Sequence, residues 1–252
     1  MTVLLRQLQA VADELLGRGL PAPADAMRRA HFRPDAPWSW CARCGGAQCA
    51  VGRCAASVGA SVPDAVVRLG AHAGALRRWV VDVKHAAWEA MAEELGAALA
   101  RQLMACGVVE PRQRGVVLVP VPSPWLRTRV RGIDHARALA DGAARVLRVP
   151  VRRVLRQRLA GTQVDASARA DRALRADRWR AHRSCAARVA GAHVILVDDV
   201  RTTGATLEAA SAVLRSHGAS RITAAVVTVK DLSPAPDRVV SEILDPEPLR
   251  AY

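Results

Sequence analysis

The chain has 252 residues, 51% hydrophobic and 24% charged, a balance that supports one sizeable core and excludes a disordered chain. Its formal net charge is +14, carried almost entirely by arginine, since Lys84 and Lys230 are the only lysines. That charge fits a polyanionic partner or an arginine-rich coding bias; the arginines are spread along the chain, and at 3% aromatics there is no base-stacking platform to favour a partner.

Residues 1–20 place Leu4, Leu8, Val11 and Leu15 on one helical face, where a signal peptide would carry an unbroken apolar run. No later apolar stretch has the length of a membrane span, so a cytoplasmic protein is expected. Residues 21–62 are rich in Pro, Cys, Gly and Trp without periodicity and read as a small irregular module. Four of the six cysteines stand there as Cys41, Cys44, Cys49 and Cys54. Four thiolates so close in sequence can close a tetrahedral shell around a structural Zn²⁺, and a module too small for its own core gains folding energy that way; a site that has lost its metal is the alternative. His31 is a substitute ligand on this reading, and Cys106 and Cys185 are buried small hydrophobes.

From residue 62 the pattern turns helical, with Ala87, Met91, Leu95, Leu99 and Leu103 as a stripe and Gly107 as its stop. Residues 115–124 form a buried strand that ends near Val119, because Pro120 and Pro122 cannot sit in a central ladder. Arg127, Arg129 and Arg131 follow with Gly132, a loop able to hold pyrophosphate by charge-assisted hydrogen bonds or simply to be solvated. Residues 134–149 are helical, and His135 at their start reads as an ordinary exposed histidine. Val194–Val197 is an apolar strand with Asp198 and Asp199 at its end, a helix begins near Gly204, residues 221–229 are another strand, and residues 231–252 are a Pro-punctuated tail. Strands alternating with helices predict an α/β fold with a parallel sheet covered on both faces. The expected organisation is an N-terminal helix and cysteine module over 1–62, an α/β domain over 63–230 and a tail over 231–252.

The sharpest signal is "VILVDDVRTTGAT" at 194–206. Free N–H groups at a helix start, with the hydroxyls of Thr202, Thr203 and Thr206 and a close-approaching backbone at Gly204, form a cradle for a phosphate dianion. Two carboxylates beside such a cradle repel the phosphate and suit neutral hydroxyls, so the group describes a site for a sugar 5-phosphate with vicinal hydroxyls. It lacks the Gly-x-Lys-Ser/Thr core of a P-loop and the early glycines of the dinucleotide fingerprint.

This stretch resembles the PRPP-binding motif of type I phosphoribosyltransferases. The resemblance implies that Asp198 and Asp199 hold the ribose hydroxyls and that Arg201, Thr202, Thr203, Gly204, Ala205 and Thr206 form the 5-phosphate loop. Residues 119–140, "VPVPSPWLRTRVRGIDHARALA", and 153–176, with Arg158, Gln163 and Arg172, are similar to ComF-type proteins, the competence-associated branch of that superfamily. The likeness implies a Rossmann-like parallel sheet with flanking helices, an N-terminal zinc finger, PRPP with Mg²⁺ as ligand, and Lys84 beside Arg127, Arg129 and Arg131 at the pyrophosphate. It departs where Ile133, Asp134 and His135 replace a Phe-Asn-Gln triplet and where Leu174 stands near a late Asn. Two functions are compatible with it: phosphoribosyl transfer with loss of pyrophosphate, in which Asp198 and Asp199 serve catalysis, and a non-catalytic accessory role in DNA uptake, with DNA or a helicase as partner.

Overall fold

The computed structural model describes residues 20–47, 49, 54, 62–85, 88–122, 133–157 and 179–230. Its elements are α1 (Pro23–Arg29), β1 (Ala65–Ala71), α2 (Gly74–His85), α3 (Glu89–Ala105), β2 (Val116–Pro120), α4 (His135–Leu147), β3 (Leu155–Gln157), β4 (Trp179–Ala181), α5 (Cys185–Val189), β5 (His193–Arg201), α6 (Ala205–Ser216) and β6 (Arg221–Val229). Four strands form a parallel sheet in the order β1-β6-β5-β2, and β3 and β4 pair as a separate antiparallel ribbon.

The central strands are apolar on both faces because both faces are covered, as a parallel sheet requires. Ile195, Val197, Ala225 and Val227 face the layer of α2, α3 and α4, where Trp79, Met91, Leu95, Leu99, Leu103 and Leu139 pack. Val194, Leu196, Ala224 and Val226 face α5, α6 and the ribbon, against Cys185, Val189, Leu207, Leu214 and Trp179. The expected stripe Met91–Leu95–Leu99–Leu103 is this core face of α3, and Gly107 at φ 65 follows its C-cap as a left-handed stop.

Helices α3 and α4 cross at backbone contact. A Cβ built on Gly96 would lie 2.0 Å from the Leu139 carbonyl oxygen, and one on Gly142 would lie 1.9 Å from that of Glu93. Glycine is required at both positions to let the helices approach so closely.

Three expectations change. The helical reading that began at residue 62 is corrected, since Ala65–Ala71 is a strand buried over six of its seven residues and α2 starts only at Gly74. Pro120 is the last residue of β2 and pairs with Val197; β2 tolerates it as the outermost ladder strand among the described residues, whose far side carries a single bridge there, from Leu118 to Val151. Strand β5 runs on through both acids to Arg201, paired with β6 as far as Val229. The acids therefore lie inside a strand that outruns β2.

The outer edge of β1 is covered by the segment preceding it. Asp35 N–H donates to the Leu69 carbonyl at 2.8 Å, and Val66 N–H donates to the Ala42 carbonyl at 2.7 Å. The buried Arg68 locks the junction through Gly45 O at 2.7 Å and Asp35 Oδ2 at 2.8 Å, with its guanidinium 5.8 Å from the Trp40 ring centre. No helix among the described residues is long and apolar enough to cross a membrane. The N-terminal stripe of residues 4–15, the tail after 230 and the stretch with Arg158, Gln163, Arg172 and Leu174 lie outside the described residues.

Candidate functional site

The site is built where β5 passes the end of β2. Asp198 and Asp199 are neighbours on a strand, whose side chains ordinarily diverge. Here their oxygens and a ring nitrogen of His135 all lie within 4.8 Å of one another. Asp199 is 6% exposed, and its Oδ2 stands 2.6 Å from Lys84 Nζ and 3.4 Å from His135 Nε2. Asp198 accepts the Asp199 backbone N–H at 2.9 Å. Burial of its carboxyl, reinforced by the Asp199 charge, holds Asp198 well above the usual carboxylate range, against the opposing pull of that hydrogen bond and of Lys84. Two carboxylates and an imidazole at this spacing fit a divalent cation, with mainly oxygen donors.

His135 is the residue that sequence reasoning missed. It was expected to be exposed, and it is 7% exposed, held at the first position of α4. Asp134 caps that helix by accepting the Arg137 N–H at 3.3 Å, and the close α3–α4 crossing seats the helix start against Asp199. The available signal was its place at the beginning of the helix after the arginine loop. A second histidine, His72, lies at the end of β1, with Nδ1 2.8 Å from Thr228 Oγ1. Burial, then the charges of Arg77 and Lys84, push it below the ordinary histidine range.

The loop after the acids turns as its sequence requires. Gly204 sits at φ 88, the left-handed region, as N-cap of α6, and its carbonyl accepts the Glu208 N–H at 2.9 Å. Thr202 and Thr203 are exposed, Ala205 and Thr206 half-buried, and Ala205 N–H reaches Thr203 Oγ1 at 3.4 Å. Arg201 turns beneath this loop: a Cβ on Gly204 would meet its guanidinium at 2.9–3.3 Å. The structure thus joins Lys84 to Asp198 and Asp199, with the 201–206 loop following directly. Arg127, Arg129 and Arg131 lie outside the described residues.

The cysteines converge. Cys41 Sγ lies 3.7 Å from Cys54 Sγ and Cys44 Sγ 3.5 Å from Cys49 Sγ, and all four fall within 4.8 Å of one another. Tetrahedral Zn²⁺ with Zn–S bonds of about 2.3 Å requires sulfurs about 3.8 Å apart, so the set fits that metal. His31 is exposed and outside the cluster. Burial raises the Cys41 thiol, but the backbone N–H groups of Cys44 and Arg43 and the Cys44 and Cys54 side chains outweigh it and bring Cys41 to about 7, the acidity a ligating thiolate needs. The Cys44 hydrogen bond, then burial, push Cys49 up, and burial raises Cys44. Cys106 and Cys185 are buried apart from this group, and burial raises both thiols.

Residues 133–244 match the family model described as the phosphoribosyl transferase domain. No curated protein matches the chain. Similar solved structures include the allosteric regulatory enzyme of purine biosynthesis, at 20% identity and TM-score 0.37 over 54% of this chain and 25% of that one. The chain thus spans only a quarter of that enzyme's length. Two more are TT1426 from Thermus thermophilus, at 24% identity and TM-score 0.33 over 58% and 84% of the two chains, and a purine phosphoribosyltransferase from Pyrococcus horikoshii, at 21% and 0.32 over 68% and 83%. With its parallel sheet, its two helical layers and the matched segment that holds both acids and the hydroxyl loop, the chain has a phosphoribosyltransferase fold.

Proposed function

We propose that the chain is a ComF-type phosphoribosyltransferase-like protein that binds PRPP between Asp198, Asp199 and the 201–206 loop. The observation that carries this reading is the convergence of two carboxylates in the closing residues of β5, shortly before a glycine-capped helix start with three threonine hydroxyls. The carboxylates accept hydrogen bonds from the ribose 2′- and 3′-hydroxyls. The N–H groups of the α6 start and the hydroxyls of Thr202, Thr203 and Thr206 take the 5-phosphate. Lys84, Arg127, Arg129 and Arg131 take the pyrophosphate as point charges and bidentate donors. Asp198 and Asp199 would also hold Mg²⁺, which would supply charge neutralisation. As the C1–oxygen bond breaks, its electron pair leaves with pyrophosphate, whose growing negative charge the cationic side chains stabilise, and an acceptor nucleophile bonds to C1 while the two acids hold the ribose in place.

Titration calorimetry with PRPP and Mg²⁺ tests the reading. Saturable binding by the wild type, lost in Asp198→Asn with Asp199→Asn, is the expected result; an unchanged affinity in the double variant overturns the sugar assignment. Zn²⁺ on Cys41, Cys44, Cys49 and Cys54 serves structure on this reading, checked by one zinc per chain in metal analysis.

A second reading, that of an accessory protein on DNA, draws support from the ribbon. Arg156 and Arg180 are directly opposed across β3 and β4, both exposed, and neither has a carboxylate partner among the described residues. Like charges so placed are destabilising unless an anion lies over them. Fluorescence anisotropy with labelled DNA separates the readings: affinity should fall by about 0.7–0.9 log units per log unit of salt for each phosphate engaged, and a flat response removes this role.

A further inference from the structure

Three donors from two elements meet where β5 outruns β2. Asp198 and Asp199 come from β5 and His135 from the first position of α4, and one ligand atom of each lies within 4.8 Å of the other two.

The spacing of His135 and Asp199 is the informative one. Nε2 and Oδ2 stand 3.4 Å apart, and both side chains are nine-tenths buried. A charge-assisted hydrogen bond between them would be about 2.7–2.9 Å long. Two donors that share one dication, each about 2.1 Å from it, stand about 3.0 Å apart at a right angle and about 3.4 Å apart at a tetrahedral one. The pair is therefore spaced as two ligands of a common ion. Asp199 Oδ2 is also buried without accepting a hydrogen bond among the described residues. Lys84 Nζ, 2.6 Å away, supplies a counter-charge but not that direction, so the oxygen keeps lone pairs for a metal bond.

The donor set decides which ion fits. Mg²⁺ takes oxygen ligands and gives up its waters reluctantly. An imidazole nitrogen suits first-row transition ions instead, and two carboxylates add the oxygen character that Mn²⁺ accepts. We propose that His135 is a metal ligand, and that the ion it holds with Asp198 and Asp199 is a first-row transition dication in preference to Mg²⁺. This deepens the function proposed above, resting on its assignment of the two acids as ion holders and not on PRPP as the ligand. An ion on Oδ2 takes over from Lys84 as the counter-charge of Asp199 and releases the ammonium to meet an anionic group.

The probes are Mn²⁺ and Mg²⁺ as chlorides, titrated into the full-length protein; thiolates favour softer ions, so neither reports on the four cysteines. Calorimetry should find one Mn²⁺ per chain, bound at least tenfold more tightly than Mg²⁺. Electron spin echo spectra of the bound Mn²⁺ should show modulation by a directly coordinated nitrogen, absent in His135→Gln, whose amide offers oxygen. That variant should lose most of the preference for Mn²⁺, and Lys84→Met, without the competing ammonium, should bind Mn²⁺ severalfold more tightly. Absence of Mn²⁺ binding, bound Mn²⁺ without nitrogen modulation, an unchanged preference in His135→Gln or weaker binding in Lys84→Met overturns the proposal. The wild-type spectrum decides even where a variant does not fold. PRPP calorimetry with each ion separates this proposal from the one it rests on. Nitrogen-coupled Mn²⁺ in a protein that takes up no PRPP keeps His135 as a ligand and discards the PRPP reading; PRPP binding with Mg²⁺ in a protein without that coupling does the reverse.

Discussion

Replacing Asp198 by asparagine should stabilise the protein increasingly as pH rises above the acidic range. The carboxyl of Asp198 is buried beside the charged Asp199, and both effects raise its affinity for a proton in the folded state. An unfolded aspartate loses its proton near pH 3.9. Its stabilising contribution is therefore complete below that value and declines as pH climbs towards the raised folded one. The slope is about 1.4 kcal/mol per pH unit for as long as the folded carboxyl keeps its proton while the unfolded one has lost it. Asparagine has the same shape, its side-chain oxygen can accept the Asp199 N–H as Asp198 does at 2.9 Å, and it carries no titration. His193 slopes the other way: burial, then the Arg221 charge, hold it down to about 4, so its contribution is lost as pH falls from the unfolded value towards that one. It does so in both proteins and cancels in the difference. Urea unfolding at intervals from pH 4 to 8 gives the two stability curves. The wild-type curve should fall away from the variant with the stated slope; parallel curves refute the burial argument.

Gly142→Ala should destabilise the fold by about 2 kcal/mol or more although alanine is the better helix former by about 1 kcal/mol, because the new methyl meets the Glu93 carbonyl at 1.9 Å and two helix backbones must part; a raised midpoint in urea would show that the crossing yields freely. Lys84→Met removes the ammonium 2.6 Å from Asp199, which should weaken pyrophosphate binding in calorimetry and leave Asp199 with His135 as its neighbouring donor; unchanged pyrophosphate affinity speaks against Lys84 in that role. Cys44→Ser should lower bound zinc below one per chain and reduce the thermal midpoint, read by metal analysis and calorimetry, and a variant with wild-type zinc content counts against the four-sulfur centre.

The parts of the molecule legible in the sequence are those whose partners lie nearby in the chain. β5, its loop, α6 and β6 form one contiguous unit, and the apolar runs, the acids and Gly204 all mark it. β1 was hidden because Arg68 and Gly70 interrupt its apolar run; the groups that pair with the Arg68 guanidinium, at Gly45 and Asp35, come from 23 and 33 positions earlier. The burial of His135 depends on two glycines that let α3 and α4 touch, a property of the pair that neither helix displays alone. The reach of β5 past the acids depends on β6 being nine residues long while β2 stops after five.

On the proposed zinc reading, the cover over β1 would link metal supply to the fate of newly made chains. The groups that hold this margin of the sheet, the Asp35 N–H on Leu69 and the Ala42 carbonyl on Val66, belong to the strip that runs directly into the cysteine cluster. A chain that acquires no metal has less to keep the strip in place, and the row of backbone donors and acceptors along Ala65–Leu69 is then open to any extended segment. The most abundant such segment at a site of synthesis is the same strand of a sibling chain, so zinc starvation would show first as paired or clumped protein rather than as a loss of ligand affinity. On the proposed reading of the cluster as a zinc site, the four cysteines would act as a checkpoint on assembly.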